Sequence, residues 1–319
     1  MLALRTLITG PSGFVGRALS AQVSRSGHEV SFVVRGREEA HNIPGAFLIQ
    51  ELNASTQWNR AVQEADVVLH LAARVHVMQD TTADPIAAFR SVNVGGTLNL
   101  ARQAAQAGVK RFVFISTAKV NGESTQPDRP FTEADIPNPQ DAYSLSKYEA
   151  EQGLRQISAD TGMEVVIIRP PLVYGPGVKA NFATLMQAVR QGRPLALGSV
   201  NNRRSLVALD NLVDFILVCM THPQAANETF LVSDGNDLST AELVRGLARA
   251  AGVSPRLLPV PVWALQAGAM LLGKEDEVQR LCGSLQLDIS KARNLLGWRP
   301  PVVVEEGLRR AVAGMPKLT

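Results

Sequence analysis

The apolar and polar positions in the first half of the chain follow two alternating patterns. Short apolar runs, which predict strands, are separated by segments whose apolar residues recur at the helical period. Asp84 and Pro85 are the expected N-cap and first residue of one of these helices, and Gly108 is its expected C-terminal cap. The predicted strands span residues 4–9, 30–34, 47–49, 67–71, 112–116 and 165–169. The predicted helices span residues 14–25, 85–107 and 142–160.

This alternation predicts the fold class. A strand, a helix and a second parallel strand are joined by a right-handed crossover, so a series of such units forms a parallel sheet with helices on both faces. Residues 67–71 form an uninterrupted apolar run, as strands buried on both faces do. We therefore predict an α/β fold with a doubly wound parallel (Rossmann) sheet.

The pattern changes after Pro170, where prolines and glycines are concentrated in residues 170–177. We divide the chain there into a sheet domain, residues 1–170, and a smaller α+β region, residues 171–319, with some elements that pack back on the sheet. Residues 260–273 predict a buried or surface-docked helix. The other predicted elements of this region are helices at 182–191, 211–220, 240–251 and 304–313 and short strands at 229–232 and 256–259.

Composition and charge exclude several classes of protein. Hydrophobic residues make up 45% and charged residues 19%, as in ordinary globular enzymes, and the net charge of +3 comes without a block of like charges. We therefore expect no nucleic-acid partner. The two cysteines and five histidines show no metal-ligand or disulfide spacing, so we expect no metal and a reducing cytoplasm. The N-terminus lacks signal-peptide regions, and residues 260–273 are too short for membrane insertion.

A glycine-rich loop joins the first predicted strand to the first predicted helix, with the sequence Thr-Gly-Pro-Ser-Gly-Phe-Val-Gly at residues 9–16. Glycines let the backbone turn sharply and approach a pyrophosphate, whose charge then faces the helix N-terminus. The middle glycine is displaced by one position from the commonest dinucleotide pattern, and a simple tight turn is the alternative. The loop predicts a dinucleotide cofactor bound by Gly10, Ser12, Gly13, Phe14, Val15 and Gly16.

The residue after the second strand bears on the choice between NAD and NADP. NAD enzymes usually have an acidic residue there, which accepts a hydrogen bond from the ribose 2′-hydroxyl. This chain has Arg35, whose guanidinium group suits a 2′-phosphate. NADPH is therefore the predicted cofactor. NAD is the alternative, if Arg35 is solvated and Glu38 or Glu39 folds back.

Further cofactor contacts are predicted where the strands end. The fourth strand ends in small residues, which leave room for a cofactor to cross the sheet edge, whereas His70 is expected to be structural. Asn93 is a polar candidate on the helix before the fifth strand, although a bond to backbone is its more ordinary role. The predicted contacts in this group are Leu52, Leu71, Ala72, Ala73, Asn93, Pro170 and Val173.

Tyr143 and Lys147 lie four residues apart on a predicted helix, so both side chains project from one face. A free phenol has a pKa of about 10 and exchanges protons poorly at neutral pH, whereas a nearby ammonium favours the phenolate. The strand before this helix ends at Ser116 and Thr117, at the sheet edge where ligands bind. Thr117 is predicted to hold the reacting oxygen. Ser116 is the alternative, and both hydroxyls could instead cap a turn.

Several motifs occur in order along the chain, and together they resemble the extended short-chain dehydrogenase/reductase family, particularly its UDP-glucose 4-epimerase-like nucleotide-sugar branch. The resemblance covers nearly the whole chain. The motifs are Thr-Gly-x-x-Gly-x-x-Gly at 9–16, Leu-Ala-Ala at 71–73, Asn-Val-x-Gly-Thr at 93–97, Ser-Thr at 116–117, Tyr-x-x-x-Lys at 143–147, Arg-Pro-Pro-x-x-Tyr-Gly-Pro at 169–176, Leu-Gly-Trp at 296–298 and Val-Glu-Glu-Gly-Leu at 304–308.

The resemblance implies a role for each part of the chain. Residues 1–170 would bind NAD(P), and residues 171–319 would mainly bind a UDP-sugar substrate. Tyr143 would be the catalytic acid/base, Lys147 would bind the nicotinamide ribose and activate Tyr143, and Thr117 would bind the oxygen at C4 of the sugar. The resemblance also implies a homodimer formed by two helices that flank the sheet. The positions that match contacts to the nucleotide and its diphosphate are Asn181, Arg204 and Arg280; solvated arginines, and a helix cap at Asn181, are the alternatives.

Three nucleotide-sugar reactions use this set of residues. A 4,6-dehydratase typically has acidic residues directly after the active-site threonine, whereas Ala118 and Lys119 follow Thr117 here, which argues against a dehydratase. A 4-epimerase retains NAD tightly, and a 4-ketoreductase consumes exchangeable NADPH, so Arg35 favours the reductase. Asn121 occupies a position where many family members have tyrosine, so contacts near the sugar are expected to differ.

A narrower resemblance, in residues 203–207, 231–235 and 280–284, is to bacterial enzymes that reduce UDP-4-keto-6-deoxy-N-acetylhexosamines for surface polysaccharide. The expected reaction is the NADPH-dependent reduction of such a C4 keto group. The alternatives are an NAD-dependent UDP-hexose 4-epimerase, a reductase of non-sugar carbonyl compounds and a non-catalytic NAD(P)-sensing protein. A sensing protein would tolerate the loss of Tyr143 and Lys147, which this chain keeps.

Overall fold

Seven parallel strands form the central sheet of the computed structural model, which describes residues 3–36, 43, 45–75, 84–126, 128–273 and 275–316. The strands are, in chain order, β1 (Arg5–Thr9), β2 (Glu29–Val34), β3 (Phe47–Leu48), β4 (Val67–His70), β5 (Arg111–Ile115), β6 (Glu164–Arg169), β7 (Leu172–Tyr174), β8 (Leu206–Ala208) and β9 (Thr229–Leu231). The order across the central sheet is β3-β2-β1-β4-β5-β6-β9, and β7 pairs with β8 in a separate parallel pair. The predicted doubly wound parallel sheet is confirmed.

Helices cover both faces of this sheet, and other helices pack on the β7–β8 pair. They are, in chain order, α1 (Phe14–Arg25), α2 (Asn59–Val62), α3 (Pro85–Phe89), α4 (Thr97–Gln106), α5 (Ala142–Thr161), α6 (Ala180–Arg190), α7 (Leu209–Thr221), α8 (Thr240–Ala251), α9 (Val262–Leu272), α10 (Glu275–Cys282), α11 (Ser290–Leu296) and α12 (Val304–Ala313). The predicted bounds of the helices at 14–25, 240–251 and 304–313 are those of α1, α8 and α12. Within the described residues, no helix is both long enough and apolar enough to cross a bilayer.

Neighbouring residues of the central strands point to opposite faces of the sheet and so to two different cores. Leu7 and Val68 pack with residues of α4 and α5, whereas Ile8 and Leu69 pack with residues of α1 and α7. All four side chains have an accessible fraction of zero. The run of apolar residues in β4 is therefore explained as predicted, because helices cover both faces of the strand.

The helix predicted at 85–107 is interrupted by a π-helical segment. Asp84 accepts a hydrogen bond from the backbone N–H of Ala87 at 3.0 Å, as predicted for an N-cap, and α3 ends at Phe89. The π-helical segment Arg90–Gly96 follows and leads into α4. A Cβ added to Gly96 would lie 2.8 Å from Cγ of Leu52, so the segment's packing depends on a neighbour distant in sequence. Helical periodicity alone could not predict this interruption.

The second half of the chain contributes to the central sheet and also forms a core of its own. β9 pairs with β6 at the edge of the sheet, and α7 covers one face. The pair β7–β8 packs with α6, α8 and α12 in a separate cluster of buried residues.

The strand predicted at 256–259 is wrong. Only one bridge, between Leu195 and Leu257, forms there among the described residues, since Pro255 and Pro259 flank it and proline cannot donate to a ladder.

Candidate active site

A cleft of about 440 Å³ opens at the carboxyl ends of the central strands, where a doubly wound sheet places its ligands. Its walls come from the loop after β1, the ends of β2, β4 and β5, the first turns of α5, and the segment after β6. Among the described residues, no group of three or more His, Cys, Asp or Glu side chains could hold a metal ion. The polar side chains that line the cleft carry hydroxyl, phenol, ammonium and guanidinium groups.

The glycine loop forms the floor of the cleft. Gly10 has a φ of +72°, and a Cβ there would lie 2.9 Å from the backbone nitrogen of Ala72. A Cβ on Gly16 would lie 2.0 Å from the carbonyl oxygen of Gly10. Side chains are thus excluded at both positions for steric reasons. The loop leads into the N-terminus of α1, whose first turn carries no acidic residue, so the geometry fits a dinucleotide pyrophosphate. All six predicted loop residues line the cleft.

Arg35 lines the cleft directly after β2 and is exposed, whereas Val33 and Val34 before it are buried. Glu38 and Glu39, which would support NAD, lie outside the described residues. Among the residues described between β2 and β3, none is acidic. A guanidinium group is therefore available at the position that adjoins the adenosine ribose in this fold.

The walls of the cleft also contain most of the other predicted cofactor contacts, namely Leu52, Leu71, Ala72, Ala73, Pro170 and Val173. Asn93 does not line the cleft. Its amide accepts from the backbone N–H of Arg74 at 2.8 Å and donates to the Arg74 carbonyl at 3.0 Å and to Ser146 Oγ at 3.0 Å. These bonds use the amide structurally, so the prediction that Asn93 contacts the cofactor has no support in this geometry.

His70 has the structural role expected of it. It is fully buried, and its ring nitrogens lie 2.7 Å from Thr9 Oγ1 and 2.9 Å from Thr97 Oγ1. Burial, assisted by the charge of Lys147, lowers the pKa of His70 to about 3, so the ring is neutral at physiological pH.

Tyr143 lies in the first turn of α5, beside the mouth of the cleft. Asp141 begins this helix with a capping box: its carboxylate accepts from the backbone N–H of Ser144 at 2.6 Å, and Ser144 Oγ accepts from the backbone N–H of Asp141. The Tyr143 ring packs edge-on against Phe89. Burial, with a smaller contribution from the Asp141 charge, raises the pKa of Tyr143 to about 12. The phenol is therefore protonated at neutral pH before any ligand binds.

Lys147 lies one helical turn further, with only 2% of its surface exposed. Burial lowers the pKa of its ammonium to about 7, and the charge of Glu151 opposes that shift. Both Tyr143 and Lys147 line the cleft, so the two predicted catalytic groups are brought to one site.

The structure distinguishes Ser116 from Thr117. Ser116 is buried, and its hydroxyl donates to Glu151 Oε1 at 2.5 Å. Both residues line the cleft, but among the described residues the Thr117 hydroxyl only accepts a long hydrogen bond, 3.3 Å, from the backbone N–H of Lys119. Of the two hydroxyls, that of Thr117 is the one positioned to meet a ligand oxygen.

The residues after Thr117 are occupied by structural contacts. Ala118 is buried, and the Lys119 ammonium lies 2.7 Å from Asp141 Oδ2 and 2.8 Å from Glu123 Oε1. Asn121 is also buried, and it accepts from the Arg169 guanidinium at 2.9 Å. These positions therefore stabilise the loop beside the cleft, and neither Ala118 nor Lys119 provides the acidic group of a dehydratase.

The predicted substrate residues Asn181, Arg204 and Arg280 do not line this cleft. Asn181 is exposed in the first turn of α6, and Arg280 is exposed in the last turn of α10. Arg204 is half-buried, and its guanidinium donates to the carbonyl of Gly283 at 2.9 Å. Burial lowers the pKa of Arg204.

Several cleft residues escaped the sequence predictions, among them Thr9, Trp58 and Leu212. Thr9 is the last residue of β1 and lies at the same edge of the sheet as the glycine loop. Its position at the end of a strand could therefore have predicted that it lines the cleft. Trp58 and Leu212 reach the cleft through packing with elements far away in the chain, and no local pattern marks them.

The sequence matches a protein family and individual known proteins. Residues 6–233 match the family described as NAD dependent epimerase/dehydratase. A Vibrio cholerae protein named UDP-glucose 4-epimerase is 50% identical over 308 residues, which are 95% of this chain and 93% of that protein.

Two solved structures share the fold. One, from Thermotoga maritima, is a UDP-glucose 4-epimerase with UDP-glucose; it has a TM-score of 0.76 and 24% identity over 98% of each chain. The other, RMD from Pseudomonas aeruginosa, is complexed with NADPH; it has a TM-score of 0.74 and 22% identity over 98% of each chain.

Proposed function

The chain belongs to the NAD-dependent epimerase/dehydratase family and is an NAD(P)-dependent nucleotide-sugar enzyme, and on this basis we propose that it reduces the C4 keto group of a UDP-linked 4-keto-6-deoxy-hexosamine with NADPH. Arg35 is the observation that carries the choice of a reductase. It is exposed in the cleft after β2, where a 2′-phosphate would make charge-assisted hydrogen bonds with its guanidinium. An NADP-type cofactor that exchanges after each turnover suits a one-way reduction.

The protein groups of the cleft supply the rest of the reaction. Bound NADPH would provide the hydride that converts the C4 carbonyl to an alcohol. Thr117 Oγ1 donates to the carbonyl oxygen, and the Tyr143 phenol transfers its proton to that oxygen as negative charge develops there. Lys147 would donate to the nicotinamide ribose, and its positive charge would stabilise the phenolate until solvent returns the proton.

The protonated phenol of Tyr143 in the free protein meets the first requirement of a reduction, as an unshifted phenol also would. Because its pKa is raised to about 12, the free protein holds the phenol in the acid form that a ketone reduction consumes. An oxidation would start from the phenolate, which Lys147 would have to stabilise first.

The substrate part of the proposal concerns the second half of the chain. Residues 1–170 would hold the cofactor, and residues 171–319 would mainly hold the UDP moiety. Arg204 is the most favourable diphosphate ligand, because it is half-buried and its guanidinium has one described acceptor, the Gly283 carbonyl. Asn181 and Arg280, which are both exposed, are the further candidates.

A second candidate function is an NAD-dependent UDP-hexose 4-epimerase. It is favoured by the name of the half-identical Vibrio cholerae relative, and the same three side chains would serve it. In that reaction Tyr143 takes a proton from the C4 hydroxyl and later returns one, while the C4 hydride would pass to tightly bound NAD and back.

One assay separates these functions. The protein is mixed with NADPH and UDP-4-keto-6-deoxy-N-acetylglucosamine, generated in place by a dehydratase, and absorbance of NADPH is followed. Keto-sugar-dependent loss of NADPH, with a C4 alcohol seen by NMR, supports the reductase. Interconversion of UDP-hexoses with NAD, without net loss of NADPH, would overturn it in favour of the epimerase.

The variant Tyr143→Phe tests the assignment of the acid. We expect kcat/KM to fall by about 10²–10⁴-fold, as is typical for loss of a general acid, with little change in NADPH binding by fluorescence titration. An active Tyr143→Phe enzyme would contradict the mechanism.

A further inference from the structure

Lys147 carries a buried positive charge that has no polar partner in the described part of the chain. No described hydrogen-bond acceptor or carboxylate lies within bonding distance of its Nζ. Taking an ammonium group out of water without a partner is costly, and this is why burial lowers its pKa. Something else must favour the charged form if Lys147 is to act on Tyr143 and the cofactor ribose.

The nearest candidate is an aromatic ring. Lys147 Nζ lies 3.9 Å from the centroid of the Phe114 ring. Phe114 belongs to β5 and is fully buried, so the ring shields its side of the ammonium from water, whereas Lys147 also lines the cleft. A cation over the face of an aromatic ring is attracted by the ring's negative face, most strongly where both groups are desolvated.

Among the described charged groups around this contact, Glu151 also favours the charged lysine, but its carboxylate is already engaged by other groups. On α5, the Glu151 carboxylate is shared between Arg169, which donates to both oxygens at 3.0 and 2.5 Å, and the Ser116 hydroxyl. On β4, His70 stacks on Phe114 with ring centroids 5.9 Å apart, but it is neutral because of its own burial. Tyr143, the other titratable group on this face of α5, is protonated in the free protein.

We propose that Phe114 is a positioning residue that keeps Lys147 charged and fixes its ammonium in the wall of the cleft. Phe114 does not line the cleft, so it acts only through Lys147. The inference rests on the proposed function for the catalytic role of Lys147, but the contact between Lys147 and Phe114 is independent of any substrate.

The chain provides a matched control two residues away. Phe112 lies on the same strand and the same face, is equally buried, and packs against His70 with ring centroids 5.7 Å apart. It makes no cation–π contact among the described residues. Phe114→Leu and Phe112→Leu should therefore lose similar stability, whereas only Phe114→Leu removes the ring face from the ammonium.

The test is an NMR titration of the free protein labelled with ¹³C at Cε of its seven lysines. The Lys147 signal is assigned by its loss in Lys147→Met. We expect its midpoint to be about 7 in the wild type and in Phe112→Leu, and about one pH unit lower in Phe114→Leu, a tenfold loss in proton affinity. Equal midpoints in the two leucine variants would overturn the proposal.

Two further measurements complete the design. If Phe114→Leu does not fold, fluorinated phenylalanine at position 114 weakens the negative ring face at nearly constant shape, and the midpoint should fall with each added fluorine. The titration measures the protonation of Lys147 in the absence of substrate, so its result tests the role of Phe114 even if the reductase assay fails. Where the assay succeeds, the loss of kcat/KM at high pH should begin at lower pH in Phe114→Leu and at the wild-type pH in Phe112→Leu.

Discussion

Single charged residues set the chemistry of the cleft, and Arg35 is the one whose effect is simplest to isolate. Its guanidinium is exposed beside the glycine loop, and no described acidic side chain lies between β2 and β3 to compete for a ribose. Thr117, Tyr143 and Lys147 would serve reduction and epimerisation alike. At the scale of residues, therefore, the choice of cofactor distinguishes the two proposed reactions better than the catalytic groups do.

We predict that Arg35→Ala weakens NADPH binding by about 10–100-fold, because a hydrogen bond to a charged group contributes about 1.5–3 kcal/mol. Binding of NADH should change by less than a factor of about three. Both affinities are measured by fluorescence titration. Arg25→Ala, at the exposed far end of α1, is the control and should leave both unchanged. Equal losses for the two cofactors would remove the basis for NADPH.

At the scale of elements, the loop after β5 and the start of α5 are held together by one ammonium group. Lys119 follows Thr117 in the loop and pairs with Asp141, the N-cap of the helix that carries Tyr143. The same ammonium pairs with Glu123. This three-residue contact fixes the threonine hydroxyl relative to the phenol, so a change in it should affect turnover more than stability.

We predict that Lys119→Met lowers kcat by about 3–10-fold, because misplacement of reacting groups slows the chemical step, while NADPH binding is retained. The free energy of unfolding should fall by less than about 1 kcal/mol, since the pair is partly exposed. Lys119→Arg should recover most of the activity. Lys291→Met, which removes a similarly exposed pair with Glu228 together with a hydrogen bond to the Thr229 carbonyl, is the control for kcat. A Lys119→Met enzyme with wild-type kcat would exclude this positioning role.

Some elements of the fold could be predicted from the sequence, and others could not. Caps and periodicity are local, so α1, α8 and α12 and the N-cap Asp84 could be predicted from adjacent residues. The π-helical segment depends on Leu52, and the failed strand at 256–259 depends on pairing with Leu195, contacts that local patterns do not encode.

The same division applies to the site. Motif residues such as Gly10 and Tyr143 reach the cleft together, because their motifs lie at strand ends and helix starts. Trp58 reaches the cleft through long-range packing, whereas the Asn93 amide bonds to the backbone of Arg74 and does not line the cleft. Neither position could be predicted from the adjacent residues in the sequence. The contacts predicted for Asn181, Arg204 and Arg280 stay predictions.

At the scale of the whole molecule, one half-buried carboxylate joins the central sheet to the small β7–β8 pair. Asp234 lies three residues after the end of β9 and accepts from the Tyr174 hydroxyl at 2.7 Å, the backbone N–H of Ala208 at 2.8 Å and the Asn211 amide at 2.7 Å. Asn211 in turn exchanges two hydrogen bonds with the backbone of Val302. Burial raises the pKa of Asp234, so its donors must offset a real desolvation cost.

We predict that Tyr174→Phe lowers the free energy of unfolding by about 1–3 kcal/mol, because it removes a hydrogen bond to a half-buried, charged acceptor. The measurement is urea unfolding at neutral pH. Tyr148→Phe is the control: its hydroxyl bonds only the Gln152 amide among the described residues, at an exposed position, and the change should cost less than about 0.5 kcal/mol. Similar losses in the two variants would show that Asp234 does not connect the two sheets energetically.

The π-helical segment Arg90–Gly96 sets the angle about the helix axis at which the side chains of α3 project relative to those of α4. Each residue of a helix turns the chain by about 100°, so deleting one residue here would rotate α3 by roughly that angle about the axis of α4. Phe89 would then leave the Tyr143 ring, and Arg90 would leave Glu149, which it now pairs with on α5. The number of residues between α3 and α4 is therefore fixed by the orientation of side chains around Tyr143, although none of the residues between them touches the cleft.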